Sequence, residues 1–336
     1  MKKSLIALAV LAASGVAMAQ SSVTVFGIVD VGVGHVSAAD SVTGVTQSGN
    51  SSSRLGFRGV EDLGGGLKAG FWLEGAISPD EGTGAGGGAS GPGFEFKRRS
   101  TVNLTGGFGE VRLGRELTAG YLDTSSYDPS GQVGIAAVQG LATSRVSNGL
   151  SYRTPNLGGF SGFLHYGFGE VAGDNSANRY VGASVSYKNG PLSVSLATDK
   201  LNGATSAAAS RKTWSLGASY DLGVVKPALM YLNNKNSDDS NKYNVLMLAA
   251  TAPVGPGSLW ASFTRYDVKA TDSDSNALAI GYTYNLSKRT ALYGIFAHLS
   301  NDDAAVRTLA AGGLSTVAPL AGDNVNGYQV GIRHAF

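Results

Sequence analysis

The chain has 336 residues, of which 49 are glycine and none is cysteine, and only 15% are charged. Zinc ribbons, disulfide scaffolds and thiol enzymes need cysteine and are excluded. The glycines follow no collagen triplet period, and a mean hydropathy near zero is too low for a bundle of spanning helices, so apolar side chains must be hidden by alternation.

Residues 1 to 19 open on Lys2 and Lys3, continue through an apolar run from Leu5 to Val16 and end on the small-x-small tripeptide Ala17-Met18-Ala19. This is the pattern of a secretory signal peptide cleaved before Gln20. The run is too short for a spanning helix, which needs about 20 apolar residues. Cleavage removes two lysines and no acid, which leaves residues 20 to 336 as a single domain of balanced charge. That balance argues against nucleic acid as a partner.

The mature chain then shows short stretches in which every second residue is apolar, the period-two signal of half-buried strands. Val181-Gly-Ala-Ser-Val-Ser-Tyr187, Leu192-Ser-Val-Ser-Leu-Ala197 and Trp214-Ser-Leu-Gly-Ala-Ser-Tyr220 each carry one apolar face, while the other is serine, glycine or alanine. A small polar face suits a water-filled lumen, and the recurring aromatic ends suit an interfacial girdle. Strands are predicted to begin near Val23, Ser53, Leu67, Arg98, Glu110, Asn148, Phe160, Tyr180, Leu192, Thr213, Val224, Lys242, Ser258, Ala277, Thr290 and Tyr328, sixteen in all. Short breaks such as Gly106-Gly-Phe-Gly109 alternate with long polar ones, the pattern of an antiparallel transmembrane β-barrel. Closure is required because an open sheet in lipid would leave backbone donors unpaired at its edges. Two stretches alternate poorly. Tyr243 to Thr251 is apolar on both faces, and Leu292, Phe296 and His298 interrupt Ala291 to Leu299. Such strands would face a subunit interface or a loop packed inside the barrel.

The mature start, Ser21-Ser-Val-Thr-Val-Phe-Gly-Ile-Val-Asp30, resembles the first strand of the Gram-negative general porins of the betaproteobacterial type. Ser53-Arg-Leu-Gly-Phe-Arg-Gly-Val-Glu-Asp-Leu-Gly-Gly-Gly-Leu-Lys68, Gly106-Gly-Phe-Gly-Glu-Val-Arg-Leu-Gly-Arg115, Ser151-Tyr-Arg-Thr-Pro-Asn-Leu-Gly-Gly-Phe160 and Gly331-Ile-Arg-His-Ala-Phe336 follow in the family's order. The resemblance implies a sixteen-stranded barrel, usually a homotrimer, whose third extracellular loop folds into the pore. It also implies a passive channel for small hydrophilic solutes and ions, set in outer-membrane lipid and lipopolysaccharide, with no cofactor, metal or bond chemistry. A last strand ending on Phe336 resembles the signal read by the outer-membrane assembly machinery. Independently of that, Tyr328, Val330, Ile332 and Phe336 share one face, and Gln329, Gly331 and Arg333 the other.

Alternation also places charges. With Leu55 and Phe57 toward lipid, Arg54 and Arg58 point to the lumen. With Leu150 and Tyr152 toward lipid, Ser151 and Arg153 point inward, and Arg145 joins them if extended geometry continues back. In the fourth strand, alternation favours Arg99 whereas alignment with the family's pore arginine favours Arg98. A guanidinium facing lipid at mid-membrane costs about 2–4 kcal/mol, which supports the inward reading, and the resemblance carries the pore cluster onto Arg54, Arg98 and Arg145. The segment from Gly120 to Ser144 is, by order and resemblance, the constriction loop. Its acids, Asp123 and Asp128 at the Asp-Pro-Ser-Gly turn, are expected to face the arginines across the pore. Two acids against several arginines imply a modest anion preference. Asp30, Lys68 and Glu74 also fall on predicted lumen faces, as solvated wall residues.

Three signals point elsewhere and are weak. Gly82-Thr-Gly-Ala-Gly-Gly87 matches GxGxxG but no helix pattern follows it. Asp272-Ser-Asp-Ser-Asn-Ala277 opens like a calcium loop but lacks its glycine and final glutamate. His35, His165, His298 and His334 lack close metal spacing. The inward face predicted for His165 is the sole support for a barrel hydrolase, and long loops alone would support an adhesin.

Overall fold

The computed structural model describes residues 22–84, 93–137, 143–269, 271, 273–302 and 304–336. The segment expected to be a signal peptide, much of the GxGxxG stretch and Asp272 lie outside these residues. The strands are β1 (Ser22–Ser37), β2 (Ser41–Gln47), β3 (Arg54–Gly64), β4 (Leu67–Ser78), β5 (Thr83–Gly84), β6 (Arg99–Gly106), β7 (Gly109–Leu117), β8 (Arg145–Arg153) and β9 (Phe160–Gly167). They continue as β10 (Tyr180–Asn189), β11 (Leu192–Leu201), β12 (Arg211–Tyr220), β13 (Lys226–Asn236), β14 (Lys242–Val254), β15 (Gly257–Val268), β16 (Ser275–Asn285), β17 (Thr290–Asn301) and β18 (Val325–Ala335). Each pairs antiparallel with its sequence neighbour around the wall, and β1 pairs with β18 from Ile28↔Ala335 to Ser37↔Asn326.

The result is a closed sixteen-strand antiparallel β-barrel. β2 and β3 occupy one wall position, because β2 pairs with the upper half of β1 and β3 with its lower half. β5 is a two-residue hairpin on the end of β4. The seam is completed beyond β18, where Gly27 and Phe336 exchange both backbone hydrogen bonds at 3.1 Å. In hydrocarbon every such donor needs a partner within the protein, which is why the last residue is tied to the first strand. Among the described residues no helix is long and apolar enough to cross a membrane.

Alternation carries through the wall. Val25, Leu113, Leu164, Leu196, Leu216 and Val330 are exposed on the outside, while their neighbours Asp30, Ser151, Ser195, Ser215 and Gln329 are buried within. The two irregular stretches have a common cause. Val245 and Met247 of β14 turn inward with Met230, Leu232 and Tyr266 around Tyr127, and Ile295, Ala297 and Leu299 of β17 turn inward around Ile135. Tyr127 and Ile135 belong to the segment after β7, so these strands are apolar inside because a loop packs there. A second inward segment was not foreseen. Leu309, Ala311 and Val317, between β17 and β18, bury against the Ile135 cluster, and Arg307 lies 4.0 Å over the Tyr266 ring.

Asp30 departs from the expectation of a solvated wall residue. It is fully buried, and its carboxylate accepts from the backbone N–H of Gly49 (3.1 Å), Asn50 (2.9 Å) and Ser51 (2.7 Å) and from the Tyr293 hydroxyl (2.7 Å). The break between β2 and β3 leaves those N–H groups without a ladder partner, and Asp30 supplies it. Asp30→Ala should therefore destabilise the barrel by about 3 kcal/mol, since several buried donors lose a charged acceptor. The check is the urea midpoint of unfolding, read by the heat-modifiable shift in electrophoretic mobility.

Candidate functional site in the barrel lumen

One side of the lumen, formed by β3 to β8, gathers arginines. At its upper end Glu74 of β4 accepts from Arg98 Nε at 2.6 Å and from Arg54 Nη1 at 3.4 Å, and Trp72 Nε1 donates to its other oxygen at 3.0 Å. Arg145 donates through Nε to the Arg98 carbonyl at 2.7 Å. The three arginines implied by the resemblance are thus brought together, with Glu74 as an ion-pair partner rather than a solvated residue. Lys68 stands exposed on the inward side of β4 near the short-turn end, paired in register with Asp62 and Thr105.

Arg98 and Arg99 are both used. Arg98 precedes β6 and turns to Glu74. Arg99, in register with Glu74, donates to Thr101 at 3.2 Å, lies 4.6 Å from the Trp72 ring and approaches Glu116 at 3.6 Å. Arg145 reaches the cluster by a route that alternation did not anticipate. Asn148 has a positive φ of 55°, and the β7–β8 register shifts between Gly114 and Glu116. This irregularity puts Val146, not Arg145, opposite inward Glu116, so Arg145 joins by reaching over the strand end.

Below this lies a group the sequence reading missed. Arg112 forks onto Glu110 at 2.6 and 2.8 Å and reaches Glu116 at 2.5 Å. Val111 and Leu113 alternate with Glu110 and Arg112, so the same period-two rule applied to β7 would have found them. Arg58 sits 5.2 Å from both the Phe26 and Trp72 rings, and Arg153 lies 4.1 Å over Phe163. Such stacking holds a guanidinium in place without neutralising it. Among the described residues no carboxylate lies within ion-pair distance of Arg58, Arg145 or Arg153. The wall therefore presents seven arginines against three glutamates, and three of the arginines are uncompensated by direct pairing.

The segment after β7 faces this wall from within. Its helix α1 (Ala119–Ser125) starts at Thr118, whose hydroxyl accepts from Tyr121 N at 3.2 Å, and Tyr180 Oη accepts from Ala119 N at 3.1 Å. The acids depart from expectation. Asp123 faces the opposite wall: it accepts from Ser195 Oγ and, at 2.5 Å, from Ser215 Oγ, on β11 and β12. Burial raises the Asp123 carboxyl above its usual range, and the two serine bonds offset part of that. Asp128 turns into its own Asp-Pro-Ser-Gly turn and accepts from Ser130 N at 2.8 Å and Ser130 Oγ at 2.7 Å. Asp123 is thus bonded to the serine face of β11 and β12 rather than to an arginine of the wall, because those serines offer donors close at hand. Tyr127 docks beside them, its hydroxyl 2.9 Å from Ser195 Oγ, over Gly217, where a Cβ would come within 2.0 Å of the ring.

His165 is buried between Phe163 and Tyr180, and neither ring nitrogen has a hydrogen-bond partner among the described residues. Among the described residues no serine or acid is hydrogen-bonded to it, so no catalytic pair is formed.

Comparison with known proteins agrees with this geometry. The family model described as Gram-negative porin matches residues 5–304. The chain is 49% identical to outer membrane porin protein 32 of Delftia acidovorans over all of both chains, and 31% identical to an outer membrane porin protein of Bordetella pertussis over 90% of this chain and 95% of that one. Among solved structures, an anion-selective porin from Comamonas acidovorans superposes with a TM-score of 0.83 at 47% identity, covering 94% of this chain and all of that one. OmpT of Vibrio cholerae in its trimer form shares the fold at 14% identity with a TM-score of 0.67, over 94% of this chain and 99% of that one.

Asp123→Ala should release α1 from β11 and β12. Single-channel recording should then show larger open-channel current noise and added subconductance levels, with the barrel's heat-modifiable mobility unchanged.

Proposed function

Because the chain belongs to the Gram-negative porin family and is an outer-membrane porin channel, not an enzyme, we propose that its arginine wall makes it a passive, anion-preferring pore for small hydrophilic solutes. The carrying observation is the seven arginines against three glutamates along β3 to β8, with the loop acids bonded elsewhere. A lumen lined by one sign of charge raises the local concentration of counter-ions and lowers their barrier to entry. Paired arginines contribute little to that potential, so selectivity rests chiefly on Arg58, Arg145 and Arg153. Salt weakens the effect, since screening acts over about 8 Å at physiological ionic strength.

The finer partners belong to the same reading. The functional unit is a homotrimer, supported by the trimer form of a protein sharing the fold. Phe336, closing the seam, is the assembly signal. Arg115, outward beside Leu113 and bonded to the Lys97 carbonyl and Ser147, offers anionic lipopolysaccharide a contact.

The test is the reversal potential of the refolded protein in a planar bilayer under a potassium chloride gradient. The wild type should prefer chloride. One charge about 4 Å from a hydrated ion is worth about 1 kcal/mol, so replacing Arg58 and Arg153 by Gln should each lower the chloride-to-potassium permeability ratio by up to about fivefold. A wild type without anion preference, or variants with an unchanged ratio, would overturn the assignment.

A further inference from the structure

Beneath α1, on the side away from most of the arginine wall, the lumen holds a cavity of about 420 Å³, a size that suits a small organic solute. Its wall is a hydroxyl surface set by strand register. Ser161, Ser186 and Ser195 align across β9, β10 and β11, and Ser193 aligns with Lys188 on one side and Ser219 on the other. Tyr127 roofs it, its hydroxyl within 3.3 Å of Ser193 and 2.9 Å of Ser195.

Cations stand at both ends. Arg153 enters from the arginine wall, its guanidinium 4.1 Å over the Phe163 ring and its Nε buried without a hydrogen-bond partner among the described residues. Lys188 and Lys226 line the far side. The sole carboxylate in the lining is Asp123, whose two oxygens each accept from a serine. A solute suited to this surface carries a negative group for Arg153 or a lysine and several hydroxyls that donate to and accept from serines. Chloride uses the charge but not the hydroxyl rows, and a neutral sugar the reverse.

We propose that this vestibule is a binding site for a polyol bearing one anionic group, of the sugar-phosphate type. The site rests on the anion-channel reading and deepens it. An anion passing along the arginine wall meets Arg153, which belongs to both the wall and the vestibule, and is held there by hydroxyls before release. Transient holding of this kind appears as saturable interruption of ion current.

The experiment is single-channel recording of the full-length mature protein in potassium chloride, with glucose 6-phosphate, inorganic phosphate or glucose added to either side. Glucose 6-phosphate should interrupt the current with a saturating concentration dependence, at concentrations where the other two do not. A Ser186→Ala, Ser193→Ala, Lys188→Met variant should raise its half-blocking concentration about a hundredfold, as expected for loss of a charged and two neutral hydrogen bonds, and keep an anion-selective reversal potential. Equal interruption by inorganic phosphate, or none by glucose 6-phosphate in an anion-selective wild type, overturns the site and leaves the channel reading intact. A wild type that is not anion-selective overturns the channel reading itself. The wild-type arms decide the matter even if the variant does not refold.

Discussion

Everything in this molecule follows from the demand that no backbone N–H or C=O be left unpaired in hydrocarbon. A strand meets that demand only when both edges are paired, and a row of strands only when the row closes. Closure fixes the topology, with β1 against β18 and Phe336 bonded to Gly27. It also fixes the side-chain code. With backbone pairing satisfied in the wall, successive residues must point alternately to lipid and to lumen, and a sequence low in charge can concentrate its charges inside.

The lumen so created is unevenly filled. Around β13 to β18 its inner face carries clusters of apolar side chains covered by Tyr127, Ile135, Leu309 and Val317 from two inward segments. Around β3 to β8 it is lined by guanidinium groups held by Glu74, Glu110, Glu116 and aromatic rings. Hydrophobic burial thus closes one half and leaves solutes the other. The arginines are fixed in place by stacking and forked hydrogen bonds, so the electrostatic surface is preorganised rather than mobile.

The strand positions were legible because lipid enforces alternation over many residues at once. Leu55 and Phe57 are enough to turn Arg54 and Arg58 inward, and Leu150 is enough for Arg153. What escaped the sequence reading depends on contacts between distant residues. Asp30 looked like a wall residue, but its role is set by three N–H groups twenty residues on, at a break between β2 and β3 that alternation does not mark. Arg145 kept its place near Arg98 despite a register shift at Asn148 that reverses the parity. Leu309 and Val317 carry no period, so nothing local distinguishes an inward loop from an exposed one. Arg112 was readable and was overlooked, since Val111 and Leu113 mark its face.

The placement of Asp123 decides what kind of field the pore has. Acids facing the arginines would have made a pair of opposed plates, which orients dipolar solutes and separates ions to either side. Asp123 instead spends both oxygens on Ser195 and Ser215, and Asp128 accepts from Ser130 within its own turn. The negative plate is then reduced to the three glutamates embedded in the arginine wall itself, where their charge is largely cancelled at short range. What extends into the water is the excess of positive charge, a potential of one sign rather than a transverse dipole. Such a potential sorts solutes chiefly by the sign of their charge, and the hydroxyl-lined space below it is where their remaining chemistry can be distinguished.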